Sequence, residues 1–313
     1  MQKLAEISDW IRDYGHDPRH MQRLLSLRFD WHQLWTALDI IDDVDLAISA
    51  YLEAEFPTDP GEQYLRVYGV FQALFVQQDA LSHFVEVLRP AMSINITDVL
   101  KDVREARNAA VGHPTKLKRK GELSTHVISR ITMSKDGFDL APFSEKDGVS
   151  VRYVPVRDLI EKQRAQAVRI LSEVVKELKE EDKAHKAVFR EKKLRNSFSQ
   201  VLYAFEKISE DLRKNSAVTM GAWGADHLQS SLDEFEELLK ERGLGVDTYD
   251  SVQYRYNQIK YPLTELRKFF AGEASDIPSC KAAVVFADAL RSAFSGLMDI
   301  AEEIDRDYMS VPE

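Results

Sequence analysis

Apolar residues recur at steps of three and four positions along most of the chain, the spacing that gathers them on one face of an α-helix. In the first half this pattern predicts three helices and then a fourth, which begins near Val156. Four helices are the number that an up-and-down bundle needs. The three earlier predictions cover Trp31–Phe56, Glu62–Leu88 and a segment from Asp98 to about Val111.

The period changes between the third and fourth helices. His126–Met133 and Val149–Val154 are rich in β-branched and aromatic residues, and Lys135–Gly137 and Lys146–Gly148 are turn signals. These features predict a small antiparallel hairpin or meander, inserted at about residues 122–155. We expect it to cover one end of the bundle; the alternative is a lid over the functional site.

The second half again has helical periodicity. Between the halves, Lys179–Arg195 is highly charged but contains no glycine or proline, so we expect a continuous helix there rather than a flexible linker. The prediction is a mainly α protein with a helical bundle and β insertion in residues 1–186, and a second helical bundle in residues 187–313. The helices predicted for the second bundle are Phe198–Leu212, Asp226–Glu241, Ser251–Phe270 and Cys280–Asp305.

One segment of the second half resembles one of the first. Arg255–Pro262 aligns with Arg107–Pro114 at an arginine, a β-branched residue and a proline, with Tyr261 in place of His113. The second half is therefore either a degenerate repeat of the first, lacking the imidazole, or an unrelated set of helices.

Composition narrows the class of protein. Of 313 residues, 44% are hydrophobic and 30% charged, the balance of a globular protein. The single cysteine, Cys280, excludes an intramolecular disulfide framework and suggests a reducing cytoplasm. No stretch is long and apolar enough to suggest a signal peptide or a membrane span. The net charge of −10 argues against a general nucleic-acid coat.

Candidate chemistry concentrates at the end of the helix that begins near Asp98. We expect Gly112 to adopt a left-handed turn there, and Pro114 prevents the helix from continuing. Arg107 offers a permanent cation, and the imidazole of His113 is a type of group that can donate or accept a proton in catalysis. Asn108 could bond a phosphate or orient the imidazole. Together these residue types suit a site that handles phosphate.

Arg107, Asn108 and His113 in RNAAVGH resemble the signature of the HEPN superfamily, an arginine, a polar residue and then a histidine. The resemblance implies a helical bundle that acts as a metal-independent endoribonuclease and forms a homodimer, with no cofactor. It also implies a toxin or antiviral defence effector with a protein antitoxin or other regulatory partner. A chance match to the same spacing joins Arg119 to His126 across a predicted loop and strand.

Neighbouring charges extend the candidate site. Lys116, Lys118, Arg119 and Lys120 follow the motif and are candidates for binding RNA, or else form a solvated connection. Asp102 and Glu105 precede Arg107 on the helix and either orient it or remain solvated charges.

Other functions remain open. The same residues could hold RNA or a nucleotide without cleaving it, or the chain could be a helical scaffold for a partner protein. We expect no metal site: His16 and His20 have the spacing of ligands on a helix, but Pro18 between them favours a surface turn. His83, on an apolar helix, is expected to be a core histidine.

Overall fold

The computed structural model describes residues 2–26, 31–88, 98–119, 122–144, 148–214 and 220–310. Within these ranges the chain is mainly α-helical with one small antiparallel sheet, which confirms the predicted fold class. The chain divides into two compact units. The first contains Met1–Tyr14 and Leu27–Glu177, and the second contains Gly15–Ser26 and Leu178–Glu313.

The helices follow the predicted periodicity closely, and the described residues add two short helices at the start of the chain. The α-helices are α1 (Gln2–His16), α2 (Pro18–Ser26), α3 (Trp31–Glu53), α4 (Pro60–Leu88), α5 (Asp98–Arg107), α6 (Val156–Phe189), α7 (Val201–Lys214), α8 (Met220–Glu241), α9 (Asp250–Ala271) and α10 (Cys280–Met309). None of them, in the part of the chain that the structure describes, combines the length and apolar character that a membrane span requires.

The division between the units differs from the predicted boundary after residue 186. It falls after Glu177, inside α6, which continues without a break to Phe189 and is followed by a 3-10 turn at Leu194–Phe198. The charged stretch is therefore helical only in its first part. Pattern alone also could not assign residues 15–26 to the second unit, because that assignment depends on contacts with residues far along the chain.

The core of the first unit joins helices to the sheet. Its buried side chains come from α3, α4, α5 and α6 and from the inner face of the sheet. Phe71 of α4 and Phe138 meet edge to face, with ring centroids 6.0 Å apart, and both are fully buried. Large aromatic side chains contribute most to such a core because each buries so much surface. The sheet is thus part of the core rather than a detached cover.

The sheet is larger than the sequence predicts. Its strands are β1 (Leu117–Arg119), β2 (Glu122–Ile128), β3 (Phe138–Ser144), β4 (Gly148–Val149) and β5 (Arg152–Val154). All pairs are antiparallel: β2 lies between β1 and β3, and β3 also pairs with β4 and β5. The predicted strand ending at Met133 ends at Ile128, and β1 and β3 were not predicted. The insertion therefore begins at residue 117 rather than about 122.

The second unit packs the 3-10 turn and α7–α10 around a separate apolar core. Asp305 on α10 is 5% exposed and accepts hydrogen bonds from the backbone N–H groups of Leu194 and Arg195 and from Arg242. A buried carboxylate that receives several donors ties together segments that are distant in sequence.

The predicted surface turn around His20 is wrong. His20 and Arg19 lie on α2 and are 8% and 6% exposed. The Arg19 guanidinium is 2.8 Å from a carboxylate oxygen of Asp182, and the imidazole of His20 is 3.1 Å from the same oxygen. The partner lies on α6, so no local pattern indicated that this segment would be buried.

The two segments aligned as a possible repeat have different local structures. Arg255–Pro262 lies within the unbroken helix α9, with Pro262 inside it, whereas α5 ends before His113. Tyr261 donates a hydrogen bond to Asp276. The similarity of the two sequences is therefore not matched by a shared backbone.

Candidate active site

The motif helix does not end in the left-handed turn expected at Gly112. Helix α5 passes into a π-helical turn at Asn108–Gly112, in which the His113 N–H donates to the Asn108 carbonyl at 2.7 Å. That bond spans five residues rather than four, and such turns occur often at functional sites. Positive φ among the described glycines occurs only at Gly243 and Gly272, so the left-handed turn at Gly112 is a wrong prediction.

A glycine at position 112 is nevertheless needed for the observed position of the Arg107 guanidinium, for a steric reason. A Cβ atom at this position would lie 2.6 Å from Nη1 of Arg107 and 3.3 Å from Oδ1 of Asn108. The wide turn therefore brings Gly112 beneath the guanidinium, and the missing side chain makes room for it. Gly112 therefore affects the position of the arginine by lacking a side chain, and not by adopting a special backbone conformation.

The Arg107 guanidinium is held by three neighbours. Its Nη1 donates to Asn108 Oδ1 and its Nη2 to Gln72 Oε1, both at 3.1 Å. Its central carbon lies 4.5 Å from the centroid of the Phe75 ring, a cation–π contact. Each Nη group has two N–H donors, so one on each remains for a bidentate contact with phosphate. Asn108 was expected to bond a phosphate or to orient the imidazole; the contact that the structure shows for its side chain is with the arginine.

His113 follows the π-helical turn and is exposed. Its φ of −139° is extended, as the following proline favours, but its ψ of 50° is not. The structure records backbone hydrogen bonds for this residue and no bond between its imidazole and the Arg107 guanidinium. The two side chains sit at opposite ends of one turn, the first fixed and the second open to solvent.

A buried polar network fixes the motif helix to the bundle. Arg104 donates to Gln78 and to Asp79, both at 2.8 Å. Gln78 in turn donates to Gln163 of α6, which donates to Gln77 and to the Leu74 carbonyl. Gln77, Gln78 and Asp79, which interrupt the apolar face of α4, are therefore paired within the bundle. A satisfied buried network of this kind specifies one arrangement of the helices.

The candidate RNA-binding cations are only partly described. Lys116 is exposed just after the π-helical turn. Lys118 and Arg119 lie on β1, of which the structure describes the backbone. Lys120 lies outside the described residues.

The two candidate supporting carboxylates, Asp102 and Glu105, lie just before the arginine on α5. The hydrogen bonds of the Arg107 guanidinium go to Asn108 and Gln72. Asp102 is exposed, and Glu105 is half-buried. Besides Asn108, the groups that orient Arg107 are Gln72 and Phe75, which lie on α4. Gln72 is a polar residue on a largely apolar helix, the one sequence feature that could have indicated its role.

No family model, curated protein or solved structure matches this chain. The comparisons therefore assign it neither a family nor a function, and its chemistry has to be inferred from its own residues.

Over the residues described, no group of three His, Cys, Asp or Glu side chains has the arrangement of a metal site. His83 was predicted to be buried but is largely exposed, with 65% of its side chain accessible beside Glu86.

Proposed function

We propose that this protein is an endoribonuclease that cuts RNA without a metal, with Arg107 and His113 as its catalytic residues. The observation that carries the proposal is the anchored Arg107 guanidinium, which retains free N–H donors one turn before an exposed histidine. A cation fixed in advance stabilises phosphoryl charge without reorganising during the reaction. The resemblance of RNAAVGH to the HEPN signature supports the same assignment.

In the proposed reaction the RNA 2′-hydroxyl attacks the adjacent phosphorus. The bond from phosphorus to the 5′-oxygen breaks, leaving a 2′,3′-cyclic phosphate and a free 5′-hydroxyl. Arg107 binds the phosphoryl oxygens as their charge grows, and His113 takes part in proton transfer. Asn108 positions the arginine, and the cations from Lys116 onward bind the flanking phosphates.

The biological setting is proposed from the resemblance alone. A homodimer with its motif helices facing each other would place two copies of His113 and Arg107 at one site. A role as a toxin or antiviral effector would require a protein antitoxin or other regulator to restrain the cleavage of cellular RNA.

The test is cleavage of a mixed RNA pool by the full chain, with and without EDTA. We expect cleavage that persists in EDTA and falls at least about 100-fold in His113→Ala and in Arg107→Ala. His83→Ala and Arg169→Ala are matched controls, because both residues are exposed on helices of the same unit. The proposal fails if wild-type protein does not cleave, or if the control variants lose as much activity as the motif variants.

A second candidate is binding of RNA or a nucleotide without cleavage. It is favoured by the surroundings of His113, whose imidazole has no hydrogen-bond partner among the described residues, so nothing there fixes its orientation for proton transfer. In this case RNA would bind in a salt-dependent manner, Arg107→Ala would weaken binding, and no cyclic phosphate would form.

A further inference from the structure

A second histidine of the same unit lies beside the proposed active site. His126 is on β2, and its backbone N–H donates to the carbonyl of Pro114, the residue after His113, at 2.7 Å. Bond lengths along this path place the α-carbons of His113 and His126 no more than about 10 Å apart. The sheet insertion thus returns an imidazole to the end of the motif helix.

The side chain of His126 is on the sheet face that packs against the bundle. Val127 is 56% exposed and Ile128 is 6% exposed, and side chains alternate along a strand, so His126 shares the face of Ile128. His126 itself is half-buried.

One ring nitrogen of His126 is unsatisfied. Nδ1 is buried and has no hydrogen-bond partner among the described residues. A buried polar atom without a partner costs free energy, so in a native protein it calls for an explanation. In the neutral tautomer whose Nε2 can accept a proton, Nδ1 carries the ring hydrogen, and this N–H is buried without an acceptor among the described residues.

Two effects lower the pKa of His126. The larger is burial, which disfavours the charged ring, and the second is the positive charge of Arg152 on β5. Both effects favour the neutral ring, the form that accepts a proton.

We propose that His126 is the general base of the reaction and His113 its general acid, an inference that rests on the proposed ribonuclease function. Nε2 of His126 takes the proton of the 2′-hydroxyl as the oxygen bonds to phosphorus. His113 gives a proton to the 5′-oxygen as the bond from phosphorus to that oxygen breaks. One chain then supplies both proton-transfer groups, and a second copy is not needed for chemistry.

The test uses an RNA oligonucleotide in which sulfur replaces the 5′-oxygen at a mapped cleavage site. A thiolate leaves without a proton, so this substrate requires a general base but no general acid. We expect His113→Ala to regain most of its lost rate on the sulfur substrate. His126→Gln should stay at least about 100-fold below wild type on both substrates.

A pH profile separates catalysis from a structural role. In wild-type protein kcat/KM should fall as the pH drops through a value below 6.5, the protonation of His126, and His126→Gln should lack that limb. Thermal unfolding of His126→Gln and His126→Ala checks that both variants fold, and either folded variant suffices for the test.

The outcomes distinguish the two proposals. If wild-type protein does not cleave either substrate, the ribonuclease function fails, and this inference fails with it. If wild-type protein cleaves and needs His113, but a folded His126 variant keeps the wild-type rate and pH profile, the ribonuclease function stands and the role of His126 is overturned.

Discussion

Adding one methyl group at Gly112 should separate activity from stability. The Cβ of Gly112→Ala would lie 2.6 Å from Nη1 and 3.2 Å from the central carbon of the Arg107 guanidinium. These atoms end a long, flexible side chain, so the arginine moves rather than the backbone. Once it moves, it loses its bonds to Asn108 and Gln72. The substitution therefore displaces the cation and leaves the fold intact.

The expected change in stability is small because two contributions oppose each other. Two hydrogen bonds of a half-exposed guanidinium contribute about 1 kcal/mol each at most. Replacing glycine by alanine in a helical turn returns up to about 1 kcal/mol. The net change in the free energy of unfolding is about 1 kcal/mol or less, which corresponds to a shift in Tm of about 2–4 °C for a unit of this size.

The expected change in activity is large. A displaced donor at the phosphoryl group lowers kcat by about 100- to 1,000-fold in comparable sites. The assay is cleavage of the RNA pool, run beside thermal unfolding of the same protein. Gly69→Ala is the matched control: Gly69 lies on α4 of the same unit, and a methyl group added there would meet no described atom within 4 Å. This variant should be slightly more stable and fully active.

Two results would refute this reasoning. Wild-type cleavage by Gly112→Ala would mean that the anchored position of Arg107 is irrelevant to the reaction. A fall in Tm much larger than about 4 °C would mean that the added methyl group displaces the backbone of the turn and not the arginine side chain.

Two further predictions concern buried polar groups. Gln163→Leu should lower the free energy of unfolding of the first unit by about 2–4 kcal/mol, because Gln78, Gln77 and the Leu74 carbonyl lose their hydrogen bonds to this side chain. Gln166 is half-exposed, so the control Gln166→Leu should change this free energy by less than about 1 kcal/mol. Hydrogen exchange read by mass spectrometry measures the stability of the two units separately. Burial alone would raise the pKa of Asp182, but the hydrogen bond from His20 and the charges of Arg19 and Lys186 outweigh it and lower the pKa to about 2. The ionised carboxylate therefore stabilises the second unit by about 2 kcal/mol above pH 4, and this stabilisation is lost as the pH falls towards 2. In denaturant titrations at a series of pH values, Asp182→Asn should lack this loss of stability at acid pH. A variant that still shows the loss would contradict the assignment to Asp182.

The sequence predicted the helices well because each depends on a local period. It missed β1 and β3 because neither resembles a strand in isolation. β1 lies within the charged run Lys116–Lys120, and Pro142 interrupts β3 although it pairs with His126. These strands form because β2 lies between them, a contact that no local pattern encodes.

The site was predicted in part for the same reason. Residue types alone indicated Arg107 and His113 as a phosphate-handling pair. They did not indicate Phe75, which stacks on the arginine from another helix, or the π-helical turn. His126 stood out in the sequence only as part of a chance match, since only the path of the sheet brings it to Pro114.

The π-helical turn has a consequence for how such motifs are recognised. In an ordinary α-helix, residues five apart differ by about 140° in direction, and residues four apart by about 40°. Arg107 and Gly112 are five residues apart, yet the π-helical turn places Gly112 under Arg107. In an ordinary α-helix, only residues four apart would be aligned in this way. The turn thus absorbs one residue of spacing, so chains with different numbers of residues between the arginine and the histidine can build the same arrangement. A search with a fixed separation would count only some of them.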